Sequence, residues 1–309
     1  MFLPNSFVDA LADYKSAYYV IFGVPFDNTS SFRAGSRWAP DAIRQVSANF
    51  ESYNPTFDID LVNIPIYDAG NLETSASINE TLQNLYEATK NILRDGKLPI
   101  MLGGEHSLTF AMVKACSEFA GGDFGVLILD AHFDLREEYR GFKHNHACVS
   151  RNILNQITEN VVFIGIRSGP EEEWVFAREN NLKYYTADDV EYIGMVEVLK
   201  KAIEWLDCKQ LYLSLDMDAI DPAYAPGLGT PEPFGMNARD IRTAVRTLAP
   251  FTMGFDIVEI APEYDSGQTA MLGAKVMREF IASHAKNRMN LGTTTQLKTK
   301  RLLGLFLSF

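Results

Sequence analysis

Short runs of apolar residues, rich in β-branched and aromatic side chains, recur along the chain, each ending in glycine, aspartate, proline or glutamate. They cover residues 18–22, 61–67, 98–102, 124–129, 161–166, 183–186, 211–215 and 253–258. Most are continuously apolar instead of alternating, the pattern of strands covered on both faces. Between several of them lie stretches of helical spacing, for example 82–94, 196–205 and 240–248. Alternating strands and helices predict a three-layer α/β/α fold around a mostly parallel sheet of about eight strands. No linker interrupts the rhythm, so residues 1–290 are expected to form a single domain. Residues 291–309 read as a separate C-terminal tail, with a Thr run, a basic patch (Lys298, Lys300, Arg301) and an apolar end. Whether that end packs on the body or on a neighbouring subunit, or is a frayed terminus or cloning artefact, stays open at this level.

A parallel sheet puts the C-terminal ends of its strands on one edge, where ligands bind. The unusual polar residues fall at those ends. Gly103-Gly104-Glu105-His106 follows the run at 98–102, and Asp130-Ala131-His132-Phe133-Asp134 follows 124–129. Asp216-Met217-Asp218 follows 211–215, and the last run leads to Glu259. In an extended segment residues i, i+2 and i+4 share a face. Asp130, His132 and Asp134 are therefore expected to point one way if their strand runs on, as are Asp216 and Asp218. Four carboxylates in one crevice repel, and some would stay protonated unless cations were present. Divalent ions resolve the conflict, with His106 and His132 as nitrogen ligands. Mixed carboxylate and imidazole donors suit manganese or another first-row metal better than calcium or magnesium.

Each motif alone has a plainer reading. Asp-x-Asp is usually a solvated turn, and a histidine after two glycines suits a packed helix start. The histidine census decides against these. The chain has five histidines, and His106, His132, His144 and His146 lie inside or just after the motifs, with His284 apart.

Composition narrows the partners. With 309 residues and 47% hydrophobic content, the chain can bury a large core without disulfides. The net charge of -12 argues against non-specific nucleic-acid binding and is compatible with a cationic small-molecule substrate. Cys116, Cys148 and Cys208 lack metal-type spacing and fit a reducing compartment. No signal-peptide pattern and no run of about 20 apolar residues is visible, so a cytoplasmic protein without membrane association is expected.

The motifs resemble those of the ureohydrolase family, which includes arginase and agmatinase, over nearly the whole chain to about residue 285. Gly103-Gly104-Glu105-His106-Ser107 resembles the family's Gly-Gly-Asp-His-Ser, and Asp130-Ala-His-Phe-Asp134 matches Asp-Ala-His-x-Asp. The stretch from Ser214 through Asp216, Asp218, Asp221 and Pro222 to Gly227 matches its long third signature. Asp256-Ile-Val-Glu259 and the segment from Tyr264 to Ala270 look like its final one, in the agmatinase form. Gly23-Val-Pro25-Phe26-Asp27 and Arg33-Ala-Gly35-Ser-Arg37 resemble its entrance loops, with Pro40-Asp-Ala-Ile-Arg44 after them.

The resemblance implies two Mn2+ ions per subunit. One would take His106, Asp130, Asp134 and Asp216. The other would take His132, Asp130, Asp216 and Asp218, with Asp130 and Asp216 bridging and a hydroxide between the ions. Two metals bring a water's pKa from 15.7 toward about neutral. By the same resemblance Asp134 orients the hydroxide, Glu259 receives the guanidinium bidentately, and His146 shuttles protons, with His144 ranked second. Glu105, Asn71 and Asn145 depart from the family pattern, and no metal ligand is missing.

The stretch after Asp134, Leu135-Arg-Glu-Glu-Tyr-Arg-Gly141, lacks the Asn- and Thr-rich set with which arginase holds an α-amino acid. Glu137 or Glu138 is a candidate receiver for a distal amine, against the plainer reading of both as solvent-facing charges. Agmatine hydrolysis to putrescine and urea is the expected reaction. The alternatives are arginase or a guanidino-acid hydrolase, the latter with Arg136 or Arg140 pairing a substrate carboxylate. A single-zinc amide deacetylase would have no use for both His106 and the Asp216/Asp218 pair. An inactive binding protein would have lost a ligand. The resemblance further suggests a homo-oligomer, a trimer or hexamer.

Overall fold

A computed structural model describes residues 5–293. Its centre is an eight-stranded sheet: β1 (Tyr19–Gly23), β2 (Ile66–Asn71), β3 (Leu98–Leu102), β4 (Phe124–Leu129), β5 (Val161–Ile166), β6 (Lys183–Thr186), β7 (Gln210–Asp216) and β8 (Thr252–Val258). Their spatial order is β2-β1-β3-β8-β7-β4-β5-β6, and each of the seven pairings is parallel. All strand C-termini therefore share one edge. The four central strands, β3, β8, β7 and β4, are the ones whose ends carry the polar motifs.

Alternate residues of each strand feed two separate cores. Ile21, Leu127 and Leu129 pack on one face against helices α1 (Ala39–Ser47), α7 (Met195–Leu206), α8 (Ala238–Leu248) and α9 (Gln268–Thr293). Val20, Phe22, Val126 and Ile128 pack on the other against α2 (Ile78–Arg94), α3 (Thr109–Ala120) and α4 (Val149–Gln156). Two shorter helices, α5 (Glu171–Glu179) and α6 (Ala187–Ile193), contribute Ala177 to the second core and Val190 to the first. The result is the expected α/β/α layering. All six residues of β4 are buried on both faces, which is why their sequence is continuously apolar. Each large apolar side chain so buried contributes about 1.5–3 kcal/mol.

The element boundaries follow local chemistry. Asn237 and Asp240 form a reciprocal capping box that starts α8, and Thr186 with Asp189 starts α6 in the same way. Gly121, in the left-handed region with φ 70°, ends α3. One expected strand differs at its start. Within 61–67, Leu61–Asn63 form a 3-10 turn because the Asp60 side chain accepts the Val62 N–H, and β2 begins only at Ile66. A small antiparallel pair, Tyr53–Asn54 with Ile59–Asp60, was not visible in the pattern. Helix α9 runs through Thr293, three residues into the stretch set apart as a tail. The remainder of that stretch, including its basic patch and apolar end, lies outside the described residues. Among the described residues, no helix is long and apolar enough to cross a membrane.

Candidate metal centre and substrate pocket

The Gly103-Gly104 pair lets a crowded strand end form. A Cβ on Gly104 would sit 1.9 Å from the Phe26 carbonyl oxygen, which accepts the Glu105 N–H at 2.8 Å. Gly104 in turn accepts the Glu259 N–H at 2.9 Å. Only glycine fits where the entrance loop crosses the strand end. His106, itself buried, then opens a 3-10 turn that leads into α3.

His106 Nδ1 lies 3.0 Å from Asp130 Oδ2, 3.2 Å from Asp134 Oδ2 and 3.3 Å from Asp216 Oδ2. Its other nitrogen, Nε2, is 3.1 Å from Ser214 Oγ, which donates to Asp256 Oδ1 at 2.7 Å. Because the Ser214 proton goes to Asp256, Nε2 must carry the hydrogen in this contact, and Nδ1 is left with its lone pair facing three carboxylates. Thr109 and Tyr212 also donate to Asp256, which locks the chain in place. A ligating histidine characteristically donates its second nitrogen in this way.

A second group lies beside the first. His132 Nδ1 is 3.0 Å from Asp218 Oδ2 and 3.6 Å from Asp130 Oδ1. Asp218 also accepts from Ala131 N at 3.1 Å and Thr230 Oγ1 at 3.2 Å. The donor atoms of His106, Asp130 and Asp216 lie within 4.8 Å of one another, as do those of Asp130, His132 and Asp218. Asp130 is common to both groups, while Asp216 falls only in the first. Its Oδ1 accepts the Asp218 N–H at 2.8 Å.

The route to this convergence differs from the sequence expectation. Strand β4 stops at Leu129, and residues 130–134 are not extended strand. Asp134 has φ 55°, in the left-handed region, and Asp218 belongs to a 3-10 turn after β7. Shared-face alternation therefore does not explain the clustering. The segment keeps only an isolated parallel bridge, His132 with Ser168, and the Asp130 carboxylate is held by the His132 N–H, which it accepts at 2.6 Å.

The electrostatics show a deficit of positive charge. Burial and the neighbouring Asp218 and Asp130 push Asp216 well above the usual carboxylate range. Burial and Asp130 push Asp134 up to about 6. Burial opposes protonation of His106 and His132, yet the surrounding aspartates outweigh it and raise both. Asp218 is also penalised by burial, but His132 pulls it well below its usual range. The field that would hold protons on the imidazoles suits cations equally. His106 Nδ1 and Asp130 Oδ2 are buried and make no hydrogen bond despite their proximity, which is the signature of donor atoms aimed at an ion. The residues fit divalent metal.

Above the two groups is a narrow slot of about 20 Å3 lined by Ser30, Arg33, Asp134, His146, Thr230 and Glu259 among others. It opens to a vestibule of about 330 Å3 bordered by Ser31, Arg136, Tyr139, Ser168 and Glu173. Glu259 has φ 62° and holds that strained conformation at the end of β8. Burial and the nearby Glu105 push its carboxyl well above the usual range. His146 borders both slot and vestibule, whereas His144 faces a separate cavity against Phe110 and Lys114. Burial and the imidazoles of His106 and His132 bring His146 down to about 4.

Glu137 and Glu138 are exposed and line a neighbouring cavity of about 770 Å3, outside the vestibule. Besides Asp134, the acidic side chain that borders the vestibule is Glu173, 4% exposed, at 3.4 Å from the Arg136 guanidinium. Burial and Asp134 push it up to about 7. Arg140 donates to the Ser31 carbonyl at 3.1 Å.

Sequence reasoning did not single out Glu173, Arg167 or the Ser214–Asp256 pair. Arg167 donates to the carbonyls of Asp218 and Glu232, each at 2.6 Å, and so ties down the loop after β7. The available signal was position, since Arg167 and Glu173 follow the end of β5. Of the departures, Asn145 caps the 3-10 turn of His146–Cys148 by accepting the Ala147 N–H at 3.0 Å. Asn71 accepts from Arg44 at 2.5 Å, holding a buried guanidinium of α1. His284 is buried away from the site, 2.8 Å from the Tyr19 hydroxyl.

Comparison with known proteins is consistent across sequence and structure. A model of the arginase family matches residues 17–282. An agmatinase from Pyrococcus horikoshii is 34% identical, over 89% of this chain and 94% of its own. An N(1)-aminopropylagmatine ureohydrolase from Thermococcus kodakarensis is 35% identical over the same two shares, 89% and 94%. Among solved structures, the agmatine ureohydrolase of Thermoplasma volcanium superposes with a TM-score of 0.88 at 42% identity, over 94% of this chain and 97% of that one.

Proposed function

The chain belongs to the arginase family as one of its ureohydrolases, and we propose that it hydrolyses agmatine to putrescine and urea. One observation carries this reading. Two His/Asp groups sharing Asp130 sit at the ends of the central strands, with the half-buried Glu259 carboxylate lining the same slot.

His106, Asp130, Asp134 and Asp216 would hold one ion, and Asp130, His132, Asp216 and Asp218 the other. Manganese suits this mixed donor set, and two such ions would supply hydroxide near neutral pH by lowering the pKa of a water. The chain's own residues do the rest. Glu259 faces the slot with an ionisable carboxylate, one oxygen of which is anchored by the His106 N–H at 2.7 Å. A guanidinium entering the slot presents a planar fork of N–H donors to it and is held in one orientation. Asp134 lines the slot and would accept a hydrogen bond from the attacking water.

The water oxygen bonds to the guanidino carbon, and the bond from that carbon to the butyl nitrogen breaks. That nitrogen takes a proton and leaves as an amine of putrescine, while urea remains. His146 is the imidazole beside this path. Its burial keeps it neutral, so a proton that it accepts passes on readily. Glu173, which borders the same vestibule, is the carboxylate that would meet the substrate's distal ammonium.

Urea release from Mn-loaded protein, assayed across agmatine, N(1)-aminopropylagmatine, arginine and 4-guanidinobutyrate, tests the reading. The highest kcat/KM should fall on agmatine. A guanidino acid or arginine turned over more efficiently overturns the substrate assignment.

A further inference from the structure

Thr29 lies between a buried carboxylate and the imidazole proposed above to move protons. Its backbone N–H donates to Glu105 Oε2 at 2.7 Å, and its Oγ1 lies 2.5 Å from Glu105 Oε1. The same hydroxyl oxygen accepts the backbone N–H of His146 at 3.1 Å and faces His146 Nδ1 at 3.4 Å. A threonine hydroxyl has one proton and two lone pairs. The contact with Glu105 is much the shorter, so the proton points there and only lone pairs face His146. Nδ1 can therefore join Thr29 only as an N–H donor.

We propose that Thr29, anchored by Glu105, is a positioning residue that fixes His146 as its Nδ1–H tautomer and leaves Nε2 as the proton-exchanging nitrogen. The inference rests on the reading of His146 as the acid–base group. Its supports are independent of that reading. Glu105 is fully buried and further held by the Ser107 hydroxyl at 2.5 Å, so the anchor is rigid. His146 itself is fixed on the backbone by the Asn145 cap, and the Tyr139 ring meets it edge-on at 5.8 Å. With Nδ1 engaged, the rest of the ring borders the slot and vestibule. Glutamate in place of the shorter aspartate suits this task, because its two oxygens reach both the backbone and the hydroxyl of Thr29. An imidazole locked in the wrong tautomer is a poor proton carrier even where its geometry is intact, and the penalty can reach about 10⁴-fold.

Thr29→Val keeps the shape and the backbone contact while removing the hydroxyl. It should lower kcat for agmatine about 10- to 100-fold, a part of the ~10²–10⁴-fold that one acid–base group supplies, with KM and metal content unchanged. Thr29→Ser should recover most of the loss. In protein with 15N-labelled histidine, loaded with diamagnetic Mg2+, the ring-nitrogen correlations of His146 should report the Nδ1–H form. They should report a tautomer mixture in Thr29→Val. In a His146→Asn background, adding Thr29→Val should cost nothing further. Normal kcat in Thr29→Val, an unchanged tautomer or a fully additive double variant each overturns the proposal. If His146→Asn alone leaves turnover intact, the acid–base reading of His146 is the part that fails.

Discussion

The carboxylate of Glu259 accepts the backbone N–H of His106 at 2.7 Å. The proposed guanidinium receiver at the end of β8 is thus tied to the proposed metal ligand at the end of β3, and the two strands lie side by side. Substitutions at 259 should therefore separate two effects. Glu259→Gln keeps an oxygen for the His106 N–H but replaces a charged acceptor by a neutral one. It should lower kcat/KM by about a hundredfold or more, a few kcal/mol, with metal content unchanged. Glu259→Ala also orphans a buried N–H, at a cost of about 1–3 kcal/mol, and should weaken metal retention as well. Equal metal content in both variants would show that the tie does not support His106.

Asp130 is the residue common to both donor groups. Metal analysis of the purified protein should find two divalent ions per chain, and Mn2+ should restore activity after chelation. Asp130→Ala should lose both ions and all measurable turnover, because neither group is complete without it. One tightly held ion per fully active chain, or an Asp130→Ala variant that retains one, argues against a binuclear centre.

Proton competition gives the centre a definite pH dependence. Asp134 is raised to about 6 and Asp216 is raised well above its usual value. A carboxylate whose pKa is higher in the folded than in the unfolded chain binds more protons when folded. Stability from such a group is full below the unfolded value of about 3.9 and falls as pH rises through the folded one. The raised His106 and His132 act in the same sense. Metal binding must displace these protons, so affinity should rise with pH. The increase in Tm on adding Mn2+ should accordingly be small near pH 5 and grow toward pH 8. A metal-induced shift that is constant across this range, or largest at pH 5, contradicts the assignment of these groups as ligands.

The strands of the sheet were legible because they are buried on both faces, so that apolar runs such as 124–129 and 161–166 match β4 and β5 residue for residue. The layering followed from the same alternation of strand and helix. The positions of the ligand-type residues were legible for a related reason, since a parallel sheet collects its strand ends on one edge. The local geometry was not. Beyond Leu129 only an isolated bridge, His132 with Ser168, continues the pairing, and Asp134 takes a left-handed φ that no short-range pattern reports. Glu173 was equally hidden. It sits in a run of three glutamates at the start of α5, where acidic residues are common simply because they favour helix N-termini. Only its burial and the Leu135 N–H that it accepts separate it from Glu171 and Glu172.

That separation gives the last prediction. Glu173 is buried against Arg136 and borders both the vestibule and the neighbouring cavity, while Glu137 and Glu138 are exposed and border the neighbouring cavity alone. If the distal ammonium of the substrate is met by Glu173, Glu173→Gln removes a charged partner and keeps the volume and the acceptor for Leu135 N. A charge-assisted contact is worth about 1.5–3 kcal/mol, so kcat/KM for agmatine should fall by about 10- to 100-fold, mostly through KM. Turnover of a guanidino compound without a distal amine, such as butylguanidine, should change little. The substitutions Glu137→Gln and Glu138→Gln should leave both substrates unaffected, because surface charges in high dielectric contribute little. Steady-state kinetics on the two substrates decide the matter. A loss in Glu173→Gln that is equal for agmatine and butylguanidine would assign Glu173 to holding the loop after β4. A loss confined to Glu137→Gln or Glu138→Gln would move the amine site into the outer cavity.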